Sequence, residues 1–152
     1  MKAFIHHKAF IHHVEVRWSD VNAFGVVGDA TIAAYVEEAR GALVRELAES
    51  PAPGAPDAPQ TIHLTLRQRI RYYRLVRWQS APLRVSLRVL RIRPSSVELH
   101  GIVGEEKTPF AEAYVLSGCW SPARRRPHLM NSAQRALLES YCETTPGGSR
   151  AG

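Results

Sequence analysis

A single apolar stripe of helical period, set among strand-like sequence, constrains this chain more than any other feature. Ile32, Tyr35, Val36, Ala39, Leu43 and Leu47 recur at spacings of three and four. They line one face of a helix about five turns long, since a turn takes roughly 3.6 residues. Asp29 is placed to cap its start. PAPGAPDAP, residues 51 to 59, ends it, because four prolines remove amide donors and fix φ. That stretch reads as an exposed loop.

The rest of the chain alternates with a period of two. HHVEVRW, from His12, puts Val14, Val16 and Trp18 on one face. Beyond the loop, Ile70, Tyr72, Arg74 and Val76 share one face of a strand, and Leu83, Val85, Leu87 and Val89 share one face of the next. Val97, Leu99, Gly101 and Val103 continue a third, and FAEAYVLSGCW, residues 110 to 120, forms a fourth. Its small residues Ala111, Ala113, Ser117 and Gly118 suit close approach of a helix. The alternation shifts phase at Val89 to Leu90, which predicts a bulge. Asn131 to about Cys142 reads as a short helix capped by Asn131 or Ser132. One stripe needs one sheet to cover it, so the expected class is α+β: a five-stranded antiparallel sheet wrapped around one long helix, with a short C-terminal helix.

Length bounds the organisation. At 152 residues and 45% hydrophobic composition the chain holds one ordinary core. Its start carries an internal duplication, KAFIHH at 2 to 7 and again at 8 to 13. Two copies cannot build a repeat fold, so residues 1–13 are taken as a start-site duplication or a scar, the second copy running into the first strand. Residues 14–143 are expected to form the domain and 144–152 a disordered tail. His6, His7, His12 and His13 lack a downstream cluster to complete a metal site, so no metal and no cofactor is expected. Cys119 and Cys142 match no redox motif and read as reduced thiols. No run of about 18 apolar residues and no signal-peptide pattern is present, which points to a cytoplasmic protein without a membrane partner.

RWSDVNAFGVVGDATIAAYVEEAR, residues 17 to 40, resembles the signature of the 4-hydroxybenzoyl-CoA thioesterase branch of the hotdog superfamily. An acidic turn, Gly-x-Val, a helical aromatic and Glu-x-Arg fall at Asp20, Asn22, Gly25, Val27, Tyr35, Glu38 and Arg40. The resemblance implies a hotdog fold, hydrolysis of an acyl thioester held on coenzyme A or an acyl carrier protein, and a homo-oligomer, dimer or tetramer, with sites at the subunit boundary. One position departs from the family. The catalytic carboxylate falls where this chain has Asn22, which cannot act as base or nucleophile but can hold a water or the thioester carbonyl. Asn there with Arg40 on the helix is similar to the thioesterases of enediyne polyketide pathways, whose substrate is a carrier-bound β-ketoacyl chain.

Helical angle places Arg40 roughly 70° from the centre of the stripe, where it snorkels outward or enters a cavity. Glu38 points to the other side and is the fallback base. Asp20 is either that base or a brace for its loop, and Asn22 has the alternative of a turn residue bonding its own backbone. Gly25 and Gly28 let a thioester approach the backbone, and the helix start at Gly28 and Asp29 presents unpaired N–H groups to a carbonyl. Val27, Tyr35 and Tyr72 complete the expected substrate contacts.

The net charge of +6 asks for an acidic partner. RQRIRYYRLVRW, residues 67 to 78, sets arginines among aromatics as a nucleic-acid binder would. Alternation nevertheless puts Arg67, Arg69 and Arg71 on one solvated face, and no nucleic-acid motif accompanies them. Arg124, Arg125 and Arg126 are the expected docking patch for the phosphates of coenzyme A or for a carrier protein. The competing reading is a hotdog protein that binds acyl thioesters without hydrolysing them, or dehydrates them, for which His63 and His100 are the histidines within the domain body.

Overall fold

The computed structural model describes residues 8–48 and 61–142. His6 and His7, the proline-rich stretch at 51–59 and the segment 144–152 lie outside the described residues. The order is β1 (Phe10–Val14), a 3-10 turn (Trp18–Asp20), α1 (Asp29–Ala48), β2 (Ile62–Tyr72), β3 (Leu83–Ile92), β4 (Ser96–Glu105), β5 (Thr108–Ser121), β6 (Arg126–Pro127) and α2 (Ser132–Glu139). Five strands run antiparallel in the order β1-β3-β4-β5-β2, and the two-residue β6 pairs with β5 off that path. The expected α+β hotdog arrangement, one long helix against a five-stranded sheet with a short helix after it, is the arrangement found.

The helix forms because its stripe has a matching wall. Ile32, Tyr35, Val36, Ala39, Leu43 and Leu47 are buried, as are Val85, Leu87 and Val89 of β3 and Leu99 and Val103 of β4. Each large aliphatic side chain so covered contributes about 1.5–3 kcal/mol relative to exposure. The bulge falls where the phase shift put it: pairing between β3 and β4 slips between Val89 and Arg91. Asn131 caps α2 by accepting from Gln134 N at 2.8 Å, and Gln134 returns the bond to Asn131 N at 3.0 Å.

Four local expectations give way. The first strand starts earlier, at Phe10, and Trp18 is 73% exposed in the 3-10 turn instead of sharing the face of Val14 and Val16. Asp29 is the first helical residue instead of the cap, since Gly28 O accepts from Ile32 N at 3.1 Å. β2 ends at Tyr72, because Tyr73 N and Arg74 N both turn to Phe110 O, so Arg74 and Val76 leave the strand and Tyr72 is 44% exposed. Gly118 makes room for Leu66, the residue β2 bulges out against β5, and not for a helix: a Cβ there would come within 2.7 Å of Leu66 Cδ1. Among the described residues, no helix is long and apolar enough to cross a membrane.

Candidate active site

The turn before α1 is built from side-chain bonds to its own backbone. Asn22 Oδ1 accepts from Phe24 N at 2.9 Å and Val26 N at 3.3 Å, and Asn22 N donates to Val26 O at 2.9 Å. Gly25 sits at φ 71, in the left-handed region where a side chain would be strained. Asp20 Oδ2 accepts from Arg17 N at 3.0 Å and from the Tyr35 hydroxyl at 2.7 Å, which ties the turn to the second turn of α1. Burial, then the bond to Asp20, pushes the Tyr35 hydroxyl well above its ordinary pKa, so it stays a donor.

Val27 N donates to Val76 O at 2.8 Å, and the Tyr72 hydroxyl donates to Asp29 O at 3.2 Å. These bonds close the segment after β2 over the start of the helix. Between them lies a cavity of about 240 Å³ lined by Val27, Asp29, Ile32, Tyr72, Leu75 and Val76. Three expected contact residues, Val27, Asp29 and Tyr72, thus share one wall. The N–H groups of Gly28, Asp29 and Ala30 precede the first amides bonded within the helix, those of Thr31 and Ile32. They carry the positive end of the helix dipole, an arrangement suited to a carbonyl oxygen gaining negative charge. Gly28 has open space where a Cβ would stand, so a ligand can approach its backbone.

The remaining expected residues lie elsewhere in the protomer. Arg40 is only 6% exposed and does not snorkel. Its Nε donates to Glu37 Oε2 at 3.1 Å, Nη2 pairs with Glu37 Oε1, and Nη1 donates to His63 O and Ser117 Oγ, each at 3.3 Å. The Arg40 guanidinium holds the Glu37 carboxyl below the usual range. Eleven residues separate Asp29 from Arg40, roughly 16 Å along a helix. Glu38 is half-exposed and bonds His12 Nε2 at 3.0 Å. Arg124 and Arg125 lie in the turn between β5 and β6 and Arg126 opens β6; Arg124 and Arg126 flank a groove of about 360 Å³ with His128 and Leu129.

Glu37 and Ser117 were missed as partners of Arg40, although Glu37 stands three residues away on one helix, a spacing at which side chains meet. His12 was not foreseen as the partner of Glu38, since only the fold brings β1 to that face. His63 has a buried Nδ1 without a hydrogen-bond partner among the described residues, and burial, then Arg40, depresses its pKa to about 4. His100 does meet a carboxylate, Glu112, at 2.6 Å, but on the sheet face turned away from α1. Among the described residues, no group of His, Cys, Asp and Glu could hold a metal ion.

A family model described as the thioesterase-like superfamily matches residues 16–138. The chain belongs to the thioesterase-like superfamily. By that membership it is an acyl thioester hydrolase, as expected of its sequence. Solved structures similar to this thioesterase include PA5185 of Pseudomonas aeruginosa, 20% identical over 90% of this chain and 93% of that one, with a TM-score of 0.74. SAV2348 of Staphylococcus aureus, solved in complex with CoA, is 13% identical over 96% of each chain, with a TM-score of 0.73. A thioesterase of Thermus thermophilus, complexed with coenzyme A and zinc, is 20% identical over 84% of this chain and 95% of that one, with a TM-score of 0.64. At such identities the likeness carries the fold. No curated protein matches the chain.

Proposed function

We propose that this thioesterase acts in the cytoplasm on an acyl group carried by coenzyme A or an acyl carrier protein, at the cavity where α1 begins. The observation that carries the reading is the meeting of Val27, Asp29 and Tyr72 in one cavity at the start of α1, where the first amides precede any helical carbonyl. The N–H groups of Gly28 to Ala30 polarise the thioester carbonyl. Because Asn22 Oδ1 is held by two backbone amides, its Nδ2 is the end left to donate, and it positions the carbonyl or the attacking water. Water adds to the carbonyl carbon, the C–S bond breaks, and a free acid and a thiol leave. Asp20 braces the turn through Tyr35 and Arg17, and Glu38 pairs with His12 away from this cavity, so the attacking water is positioned without either carboxylate assigned as its base.

Arg40 joins this site through a second subunit. Among the described residues β2 ends the sheet with an unpaired eleven-residue edge, exposed along most of its length, and such an edge pairs with another chain. Antiparallel association along it sets the His63 end of one β2, with Arg40 behind it, beside the Tyr72 end of the other. The Glu37 partner neutralises Arg40, so the pair suits the neutral β-keto oxygen of a polyketide chain better than a carboxylate. Arg124, Arg125 and Arg126 take the phosphates of coenzyme A, a pairing that coenzyme A bound to SAV2348 supports only as a class of ligand.

The test is thiol release from a panel of acyl-CoA and carrier-linked thioesters. Turnover that falls at least tenfold in Asn22→Ala is expected. Stoichiometric binding without thiol release from any member would replace hydrolysis with the non-hydrolytic reading.

A further inference from the structure

The sheet face turned away from α1 carries a basic surface that the reaction does not use. In-register pairing lays Arg88, His100, Tyr114 and Arg69 in one row across β3, β4, β5 and β2. The next row toward the other end holds Arg91, Glu98, Leu116 and Arg67. The carboxylates of this face are already engaged. Glu98 bonds Arg93 at 2.8 Å, Glu106 pairs with Arg88, and Glu112 accepts from the Tyr73 hydroxyl and meets His100, both at 2.6 Å. Arg67, Arg71 and Arg91 show no ion pair among the described residues. A net positive face therefore remains.

That face has relief as well as charge. Arg67, Arg69, Leu90, Glu98, Tyr114 and Leu116 line a groove of about 410 Å³, and a second of about 300 Å³ adjoins it through Arg69 and Tyr114. Leu90, 43% exposed, is the residue the β3 bulge turns outward. Apolar footing between arginines is what an amphipathic helix with acidic flanks requires: leucine contacts below, and carboxylates about 5–6 Å apart to meet the guanidinium groups. A second copy of this face would bring arginine against arginine. Nucleic acid would need a free aromatic face for stacking. Tyr114 offers none, since Arg69 lies 5.0 Å over its ring and the His100 ring centroid is 4.9 Å away.

We infer that the outer face of the sheet, between Arg67 of β2 and Arg91 of β3, docks an acidic helix of the protein that carries the acyl thioester. This rests on the reading that the acyl group is protein-borne, and it assigns docking to this face in place of the turn at Arg124 to Arg126.

The test uses full-length enzyme and an acidic, all-helical acyl carrier protein loaded with a non-hydrolysable thioether analogue of the acyl group, so that binding is read without turnover. Expected is binding that weakens with added salt and falls at least tenfold in Arg67→Glu/Arg91→Glu, while in Arg91→Glu small acyl-thioester hydrolysis and the thermal midpoint stay as in wild type. Arg91→Glu alone, away from the β2 edge, should weaken binding in the same direction. Binding unchanged in both variants overturns the inference, as does loss only in Arg124→Glu/Arg126→Glu. Binding of oligouridylate or of anionic phosphatidylglycerol vesicles, with none of the carrier, also overturns it. Carrier binding without hydrolysis of any thioester would instead remove the proposed activity and leave the docking face standing.

Discussion

The Tyr35 hydroxyl donates to Asp20 Oδ2 at 2.7 Å, so the second turn of α1 and the turn ahead of it are held at one point. Tyr35 is 4% exposed, and no water can replace the bond without opening the core. Tyr35→Phe keeps the ring and removes the donor. It should lower stability by about 1–2 kcal/mol, near the range for a hydrogen bond to a charged group. The urea midpoint should fall with the m-value unchanged, and an unchanged midpoint would show that Asp20 finds water instead.

Asn22 carries two separable duties, and two substitutions divide them. Asn22→Ala removes the acceptor of Phe24 N and Val26 N and should cost about 1 kcal/mol, as loss of a capping side chain does. Asn22→Asp keeps the acceptor, so its thermal midpoint should stay close to wild type. It lacks the Nδ2 donor, and kcat should fall by roughly tenfold or more if that donor serves the transition state. Equal kcat in Asn22→Asp and wild type would reduce Asn22 to a turn residue, or show that a carboxylate there works as a base.

The fold was legible because periodicity is a local signal. The stripe from Ile32 to Leu47 and the slip at Val89 are each written in a few neighbouring residues. Trp18, Arg74 and Val76 were misplaced because alternation continues past the point where the backbone leaves the sheet. What stops β2 is a carbonyl of β5, Phe110 O, which no local pattern records. Val27, Asp29 and Tyr72, singled out from the sequence, line one cavity. Arg40 did not join them, because helical angle gives the direction of a side chain but not which end of the sheet it meets. His63 O and Ser117 Oγ, its partners, lie 23 and 77 residues away in sequence.

His63 gives a pH dependence. Its pKa is lowered from 6.5 to about 4, by burial first and then by Arg40, so the folded state binds the imidazole neutral. The unfolded chain takes up that proton as pH falls below 6.5, while the folded chain does so only near 4. Stability is therefore fully present above about pH 6.5 and declines between 6.5 and 4, by roughly 2–3 kcal/mol. His63→Gln cannot titrate. Its thermal midpoint should fall less than that of wild type between pH 7 and pH 4.5, and parallel curves for the two proteins would assign the acid loss to other groups.

If antiparallel β2 edges build the site, Asn22 of one subunit works with Arg40 of the other, and the two defects should complement. Arg40→Gln is preferred to alanine, since its amide can still donate to Ser117 Oγ or His63 O. Each homo-oligomer alone, Asn22→Ala or Arg40→Gln, has every site damaged. When the two are unfolded together and refolded in equal amounts, half of the dimers are mixed. Each mixed dimer has one site with both defects and one with neither, so activity should recover to about a quarter of wild type. Were both residues to serve a site from the same subunit, every site in the mixture would carry a defect and no recovery would follow. Fraction of activity against mixing ratio thus reads the geometry of the site directly, independent of which acyl group the enzyme prefers.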